Sequence, residues 1–237
     1  MIPDVSRIEA LLFDMDGVVI DSEPIHEEAQ RIIFSEHGLA VPEALYPSFK
    51  GMTEQKVFEQ IVSEYGSAHH DAATLVLAKE ETYRRLLVDL QLVPGVLDFL
   101  ELAQSRFRMA LTTSSVRENQ RIAFERFDLD GYFEVVVAAE DIEHPKPHPQ
   151  PYLTTADKLG VPPKACLVLE DSLHGVRSAK RAGCRIAGMT TSFEAAALKH
   201  AGADVTVDSF GELAERLGLS AAWLRSDRSP DAHGAST

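Results

Sequence analysis

The stretch Leu11-Leu-Phe-Asp14-Met-Asp16-Gly17-Val-Val19 decides the fold. The apolar run over 8–13 has the length and bulk of a buried strand. It stops at two acids and a glycine that lets the chain turn. In an open parallel sheet, ligands bind at the carboxyl ends of the strands. Two carboxylates placed there need their charge offset, by a hard cation held through oxygen or by a shared proton. A lone Asp-x-Asp is also an ordinary solvated loop, so the decision falls to partners further along the chain.

Beyond Gly17 the pattern turns helical. Pro24 suits a first helical position. Ile25, Ala29, Ile32 and Ile33 share one face, as do Val57, Phe58, Ile61 and Val62, and as do Leu75, Thr82, Leu86 and Leu90 in the stretch from Asp71. Nothing in 22–91 reads as a strand. From Pro94-Gly95 onward helix and strand alternate. Strands are expected over 107–113, 133–138, 166–169, 185–189 and 204–207. Helices are expected around Val96–Ala103, from Ser115, over 150–159 and from Ser172 to Ala182. Ser115…Glu118, Thr191…Glu194 and Ser209…Glu212 have the spacing of N-terminal capping boxes. Such alternation predicts an α/β fold with a parallel sheet covered on both faces. The expected division is an α/β core over 1–16 and 94–225, a helical insertion over 17–93, and a disordered Ser/Asp/Gly/His-rich tail over 226–237.

The chain has 237 residues, room for a substantial core plus a small added unit. Its net charge of -14 disfavours nucleic acid as a partner, because nucleic acid wants a basic surface. The same charge is a problem for any anionic substrate, which must be met by local positive features. No apolar run approaches the roughly 20 residues that span a bilayer, and the N-terminal stretch lacks a signal pattern. A cytoplasmic monomer is the expectation. Cys166 and Cys184 read as small buried residues.

Four predicted strands end in polar groups: Asp14/Asp16, Thr113/Ser114, Lys146 just beyond the third, and Glu170/Asp171. On one sheet edge these can converge, and each suits a task in phosphoryl transfer. A carboxylate can attack phosphorus. A second acid can move the proton. Hydroxyl and N–H groups can hold phosphate oxygens. Lysine and a carboxylate-bound cation can balance the charge.

The set resembles the haloacid dehalogenase superfamily, with its four motifs in order: Asp14-Met-Asp16-Gly17-Val18, Thr113 after Leu-Thr, Lys146 in Lys-Pro-His-Pro, and Glu170-Asp171-Ser172 followed by Gly175. The resemblance implies a Rossmann-like, doubly wound core with an α-helical cap. It implies Asp14 as nucleophile and Asp16 as general acid/base. Mg²⁺ would be held by Asp14, the Asp16 carbonyl and Asp171, with Glu170 as a further ligand or a supporting group. Thr113, Ser114 and Lys146 would hold phosphate. Dehalogenases lack the second Asp. Its presence favours phosphate esters, because an alkoxide leaving group needs a proton and a halide does not.

The cap segments around His26 and Lys50 resemble the β-phosphoglucomutase-like and sugar-phosphatase branch, so both residues are candidate substrate contacts. Where the mutases carry an Arg shortly after the cap glycine, this chain has Glu54, which should repel a second phosphate. Arg84 and Arg85 are possible replacement cations, or a solvated helix face. The expectation is a Mg²⁺-dependent phosphatase of a small phosphorylated metabolite, most readily a sugar phosphate. A β-phosphoglucomutase-like mutase is the alternative, and a non-catalytic phosphometabolite-binding protein is the alternative from another class.

Overall fold

The computed structural model describes residues 5–49 and 52–219. The expectations for Lys50 and for the tail over 226–237 lie outside the described residues. In chain order the strands are β1 Ala10–Phe13, β2 Ile20–Asp21, β3 Gln91–Leu92, β4 Arg108–Thr112, β5 Val135–Val137, β6 Cys166–Glu170, β7 Arg185–Met189 and β8 Val205–Val207. The α-helices are α1 Glu23–Glu36, α2 Tyr46–Phe49, α3 Glu54–Tyr65, α4 Ala72–Leu86, α5 Val96–Ala103, α6 Arg117–Phe127, α7 Gln150–Leu159, α8 Leu173–Ala182, α9 Ala195–Ala201 and α10 Phe210–Leu217.

Six strands form one parallel sheet in the order β5-β4-β1-β6-β7-β8. The side chains of β1 show why the apolar run is a strand buried on both faces. Leu11 and Phe13 join one apolar cluster with α5, α6 and α10. Ala10 and Leu12 join another with α7, α8 and α9. Alternate residues point to opposite faces, and both faces are covered, so every position in the run is apolar. This is the two-sided parallel sheet expected from the alternation, in the Rossmann-like, doubly wound form that the resemblance implied. From β1 the chain winds one way through β4 and β5, then returns to β6 on the other side and winds outward through β7 and β8. The crevice between the ends of β1 and β6 is therefore the switch point where such sheets bind ligands.

Helices α1 to α4 carry an apolar cluster of their own, built on Phe34, Phe49, Phe58 and Ile61. Asp71 opens α4 by accepting from the Thr74 N–H at 2.9 Å. Among the described residues of 22–91 the strand-free expectation fails only at the last, Gln91, which opens β3. Ile20 pairs with Leu92 and Asp21 with Gln91, antiparallel, where the chain leaves the sheet and where it returns. A two-residue ladder has no periodicity to read, and only the meeting of distant segments creates it.

Two expected capping boxes also fail. Val116 is the N-cap of α6 and Glu194 that of α9, neither with a side-chain cap bond. The Ser115 hydroxyl is used elsewhere, as described below. Ser209 does cap α10, accepting from the Glu212 N–H. No helix among the described residues is long and apolar enough to cross a membrane.

Phe99 is fully buried, with ring centroids 6.1 Å from Phe13 and 5.0 Å from Phe210. Phe99→Ala should lower stability by about 3–5 kcal/mol in urea titration. A loss below about 1 kcal/mol would mean that this aromatic column does not tie β1 to α5 and α10.

Candidate active site

The ends of four strands converge as expected. Asp14 follows β1 directly, and its N–H donates to the Leu169 carbonyl at 3.0 Å, joining it to the end of β6. Asp14 is 7% exposed. Lys146 reaches it from the loop before α7, with Nζ 2.5 Å from Asp14 Oδ1, 2.8 Å from Glu170 Oε1 and 3.2 Å from the Thr112 carbonyl. All three hydrogens of the ammonium are thus directed at acceptors. The Lys146–Pro147 peptide bond is cis.

Asp14, Glu170 and Asp171 bring ligand oxygens within 4.8 Å of one another. Burial raises Asp14 well above the usual carboxylate range. Lys146 opposes that rise, and the charges of Glu170, Asp171 and Asp16 add to it. Burial, reinforced by the Glu170 charge, pushes Asp171 up to about 8. Burial pulls Lys146 down, but Asp14 and Glu170 outweigh it and hold the ammonium above its ordinary range. One ammonium does not balance four neighbouring carboxylates, and a divalent cation bound by oxygen would supply the missing charge.

Glu170 lies in this cluster by distance, yet its oxygens are occupied. Oε1 accepts from Lys146 at 2.8 Å and from the Tyr152 hydroxyl at 2.8 Å. Oε2 accepts from the Ser172 N–H at 3.0 Å and the Ser172 hydroxyl at 2.9 Å. Four donors fill the four lone-pair sites of a carboxylate. Asp14 and Asp171 fit a cation better. Two glycines allow the packing. A Cβ on Gly17, whose φ is +74°, would lie 1.9 Å from Asp171 Oδ2, and one on Gly175 would lie 1.5 Å from Glu170 Oε1.

Asp16 is half-buried and held by hydroxyls. Ser22 donates to Oδ1 at 2.7 Å, Ser115 to Oδ2 at 2.8 Å and Thr113 to Oδ2 at 3.4 Å. The Thr113 hydroxyl also accepts the Ser115 N–H at 2.9 Å. Ser114 is exposed and shares a cavity of about 200 Å³ with Asp14, Asp16, Lys146 and Asp171.

His26 lines the same cavity. Its ring stacks on Tyr83 with centroids 4.1 Å apart, and its Nδ1 lies 2.6 Å from Lys79 Nζ. The same Nδ1 lies 3.5 Å from Glu54 Oε1. Lys79 is fully buried and also donates to Glu54 at 2.6 Å. Burial opposes ionisation of Glu54, but His26 and Lys79 prevail and lower it to about 2. Arg84 is paired with Glu118 at 3.1 Å, and Arg85 donates to Thr82 at 2.9 Å, so neither is placed as a cleft cation.

Sequence reasoning missed Lys79, Tyr152, Ser22 and the turn after β7, where Ser192 contacts Asp171 and Thr191 donates to the Gly17 carbonyl at 2.5 Å. A signal existed for Lys79. It stands on the same helix face as Leu75, Thr82 and Tyr83, a charge inside an apolar stripe. Tyr152 and Ser192 carried none.

Comparison with known proteins agrees with this geometry. The family described as haloacid dehalogenase-like hydrolase matches residues 11–189. A phosphorylated carbohydrates phosphatase of Thermotoga maritima is 34% identical over 202 residues, which is 83% of this chain and 92% of the relative. The fructose-1-phosphate phosphatase YqaB of Escherichia coli is 32% identical over 177 residues, 75% of this chain and 94% of the relative. The crystal structure of CbbY from Rhodobacter sphaeroides in complex with phosphate superposes with a TM-score of 0.70 at 30% identity, covering 87% of this chain and 96% of that one. With its four polar strand ends gathered at one switch point and more than half its length matched, the chain belongs to the haloacid dehalogenase-like hydrolases.

Proposed function

We propose that this hydrolase is a divalent-metal-dependent phosphatase that removes phosphate from a small phosphorylated carbohydrate through an aspartyl-phosphate on Asp14. The observation that carries the reading is the buried Lys146 bridging Asp14 and Glu170 beside Asp171. It leaves a carboxylate poised at a strand end in a site that lacks positive charge. The relatives named as carbohydrate phosphatases support the substrate class.

Residues 17–93 act as a cap on the core of 1–16 and 94–225. Lys146 and Ser114 hold the phosphate oxygens against Asp14. An Asp14 oxygen attacks phosphorus, the bond to the sugar oxygen breaks, and Asp16 gives its proton to the departing oxygen. Asp16 then takes a proton from water, which attacks the same phosphorus. Inorganic phosphate leaves and the Asp14 carboxylate is restored. Asp14 and Asp171, with the Asp16 carbonyl, would hold Mg²⁺, which when bound neutralises phosphate and carboxylate charge. Glu170 anchors Lys146. His26, held by Lys79 and stacked on Tyr83, stands on the leaving-group side.

Three measurements test this. Asp14→Asn should lower release of p-nitrophenol from p-nitrophenyl phosphate by on the order of 10³-fold or more with the circular dichroism spectrum unchanged. Near-normal turnover in that variant would remove the nucleophile.

Chelator should abolish activity and added Mg²⁺ restore it. An undiminished rate in EDTA would dismiss the cation.

In the absence of metal, Asp14 and Asp171 bind protons in the fold that the unfolded chain has released. Stability in chelator should therefore fall as pH climbs from about 4 to about 8. Thermal midpoints in EDTA should follow that fall, and Asp171→Asn should flatten it. A midpoint that rises over this range would contradict the uncompensated acidic cluster.

A further inference from the structure

The phosphate of any substrate is an anion approaching a chain of net charge -14. The cleft above the sheet divides that charge unevenly. A cavity of about 760 Å³ on the helical side is lined by Asp21, Glu23, Glu27, Glu28 and Glu54. Its guanidinium, Arg31, is tied up by Glu27 at 2.6 Å and by Glu43. A second cavity of about 340 Å³ adjoins the catalytic one and shares Ser114, Lys146 and Ser172 with it. Its described lining contains no Asp or Glu and adds His174 and Arg177 from α8.

His174 also lines the larger cavity and so stands on the border between them. Arg177 lies one turn further along the same helix face. Both are exposed, and among the described residues Arg177 is paired with no carboxylate. A guanidinium stays charged at any working pH and presents donors in a fork that fits phosphate oxygens. A carboxylate-lined wall accepts hydrogen bonds from hydroxyl groups and repels phosphate.

We infer that Arg177, with His174 beside it, is the capture point at which the phosphate group first binds before it passes to Lys146 and Ser114, and that the uncharged, hydroxyl-bearing leaving group faces the carboxylate-lined side. The assignment rests on the phosphatase reading above. Capture supplies local positive potential where the whole-chain field is negative. It also sets the substrate's orientation, phosphate toward α8 and hydroxyl groups toward α1 and α3. Arg177 touches no bond that breaks, so it acts on the capture of substrate rather than on the chemical step.

The test uses the full chain with Mg²⁺ and p-nitrophenyl phosphate, comparing wild type with Arg177→Gln, Arg177→Glu and Arg177→Lys at low salt and at about 0.5 M NaCl. Arg177→Gln should lower kcat/KM by about 5- to 20-fold at low salt, Arg177→Glu by more, and Arg177→Lys by less. The loss should shrink in high salt, where a long-range attraction is screened. A purely structural role would not respond to salt in this way. Values for Arg177→Gln and Arg177→Glu within about twofold of wild type, or a loss equal at both salt concentrations, would overturn the assignment. An inactive Asp14→Asn alongside an unaffected Arg177→Glu would reject the capture point alone. An active Asp14→Asn would reject the reading beneath it.

Discussion

A buried ammonium between two buried carboxylates organises this molecule. Lys146 is 6% exposed in its side chain and lies within 2.8 Å of both Asp14 and Glu170. The ammonium could not stay charged at that depth without partners, because desolvating an unpaired charge costs several kcal/mol. The arrangement needs β1 and β6 side by side, the loop after β5 folded over their ends, and Tyr152 beneath to fill the remaining site on Glu170. The ring of Tyr152 also lies 5.0 Å from the ammonium, close enough for a cation–π contribution. Sheet order and the Tyr152 ring on α7 both place one nitrogen.

That nitrogen does not finish the charge balance. Asp171 remains raised to about 8, mainly by burial and then by the Glu170 charge. The fold therefore holds a site that is electrostatically unfinished, and this is the condition under which a bound cation would gain the most. Much of the binding energy of such a site comes from relieving repulsion that the folded chain already carries. The close approach of Gly17 to Asp171 and of Gly175 to Glu170 shows how tightly these acids are held. Side chains at either glycine would force the carboxylates out of register.

The helical segment follows a different logic. Its own apolar cluster holds α1 to α4 together, and the buried Lys79 joins His26 and Glu54, which line the cleft. Lys79 is paired with Glu54 before any substrate arrives, so its positive charge is structural. The acids around it remain available as hydrogen-bond acceptors. Charge is thus sorted within one cleft, acceptors on the helical side and donors on the side of α8.

Local sequence patterns were enough for the sheet, its burial on both faces and the convergence of Asp14, Asp16, Thr113, Lys146 and Asp171. Each of these depends on a local pattern: an apolar run of strand length, an acid where it stops, a helix start after it. Those signals act over a few residues and survive in one dimension. Tertiary structure alone decided how the groups are partnered. Ser115 leaves its expected capping role for Asp16 because the end of β4 lies against the turn after β1. Glu170 is filled by Tyr152 and Ser172, and the pairing of Ile20 with Leu92 closes the base of the helical segment. In each case the partners are distant in sequence, or compete with a local bond of similar strength. The choice is then settled by which groups packing brings within about 3 Å of each other, and no spacing along the chain encodes that.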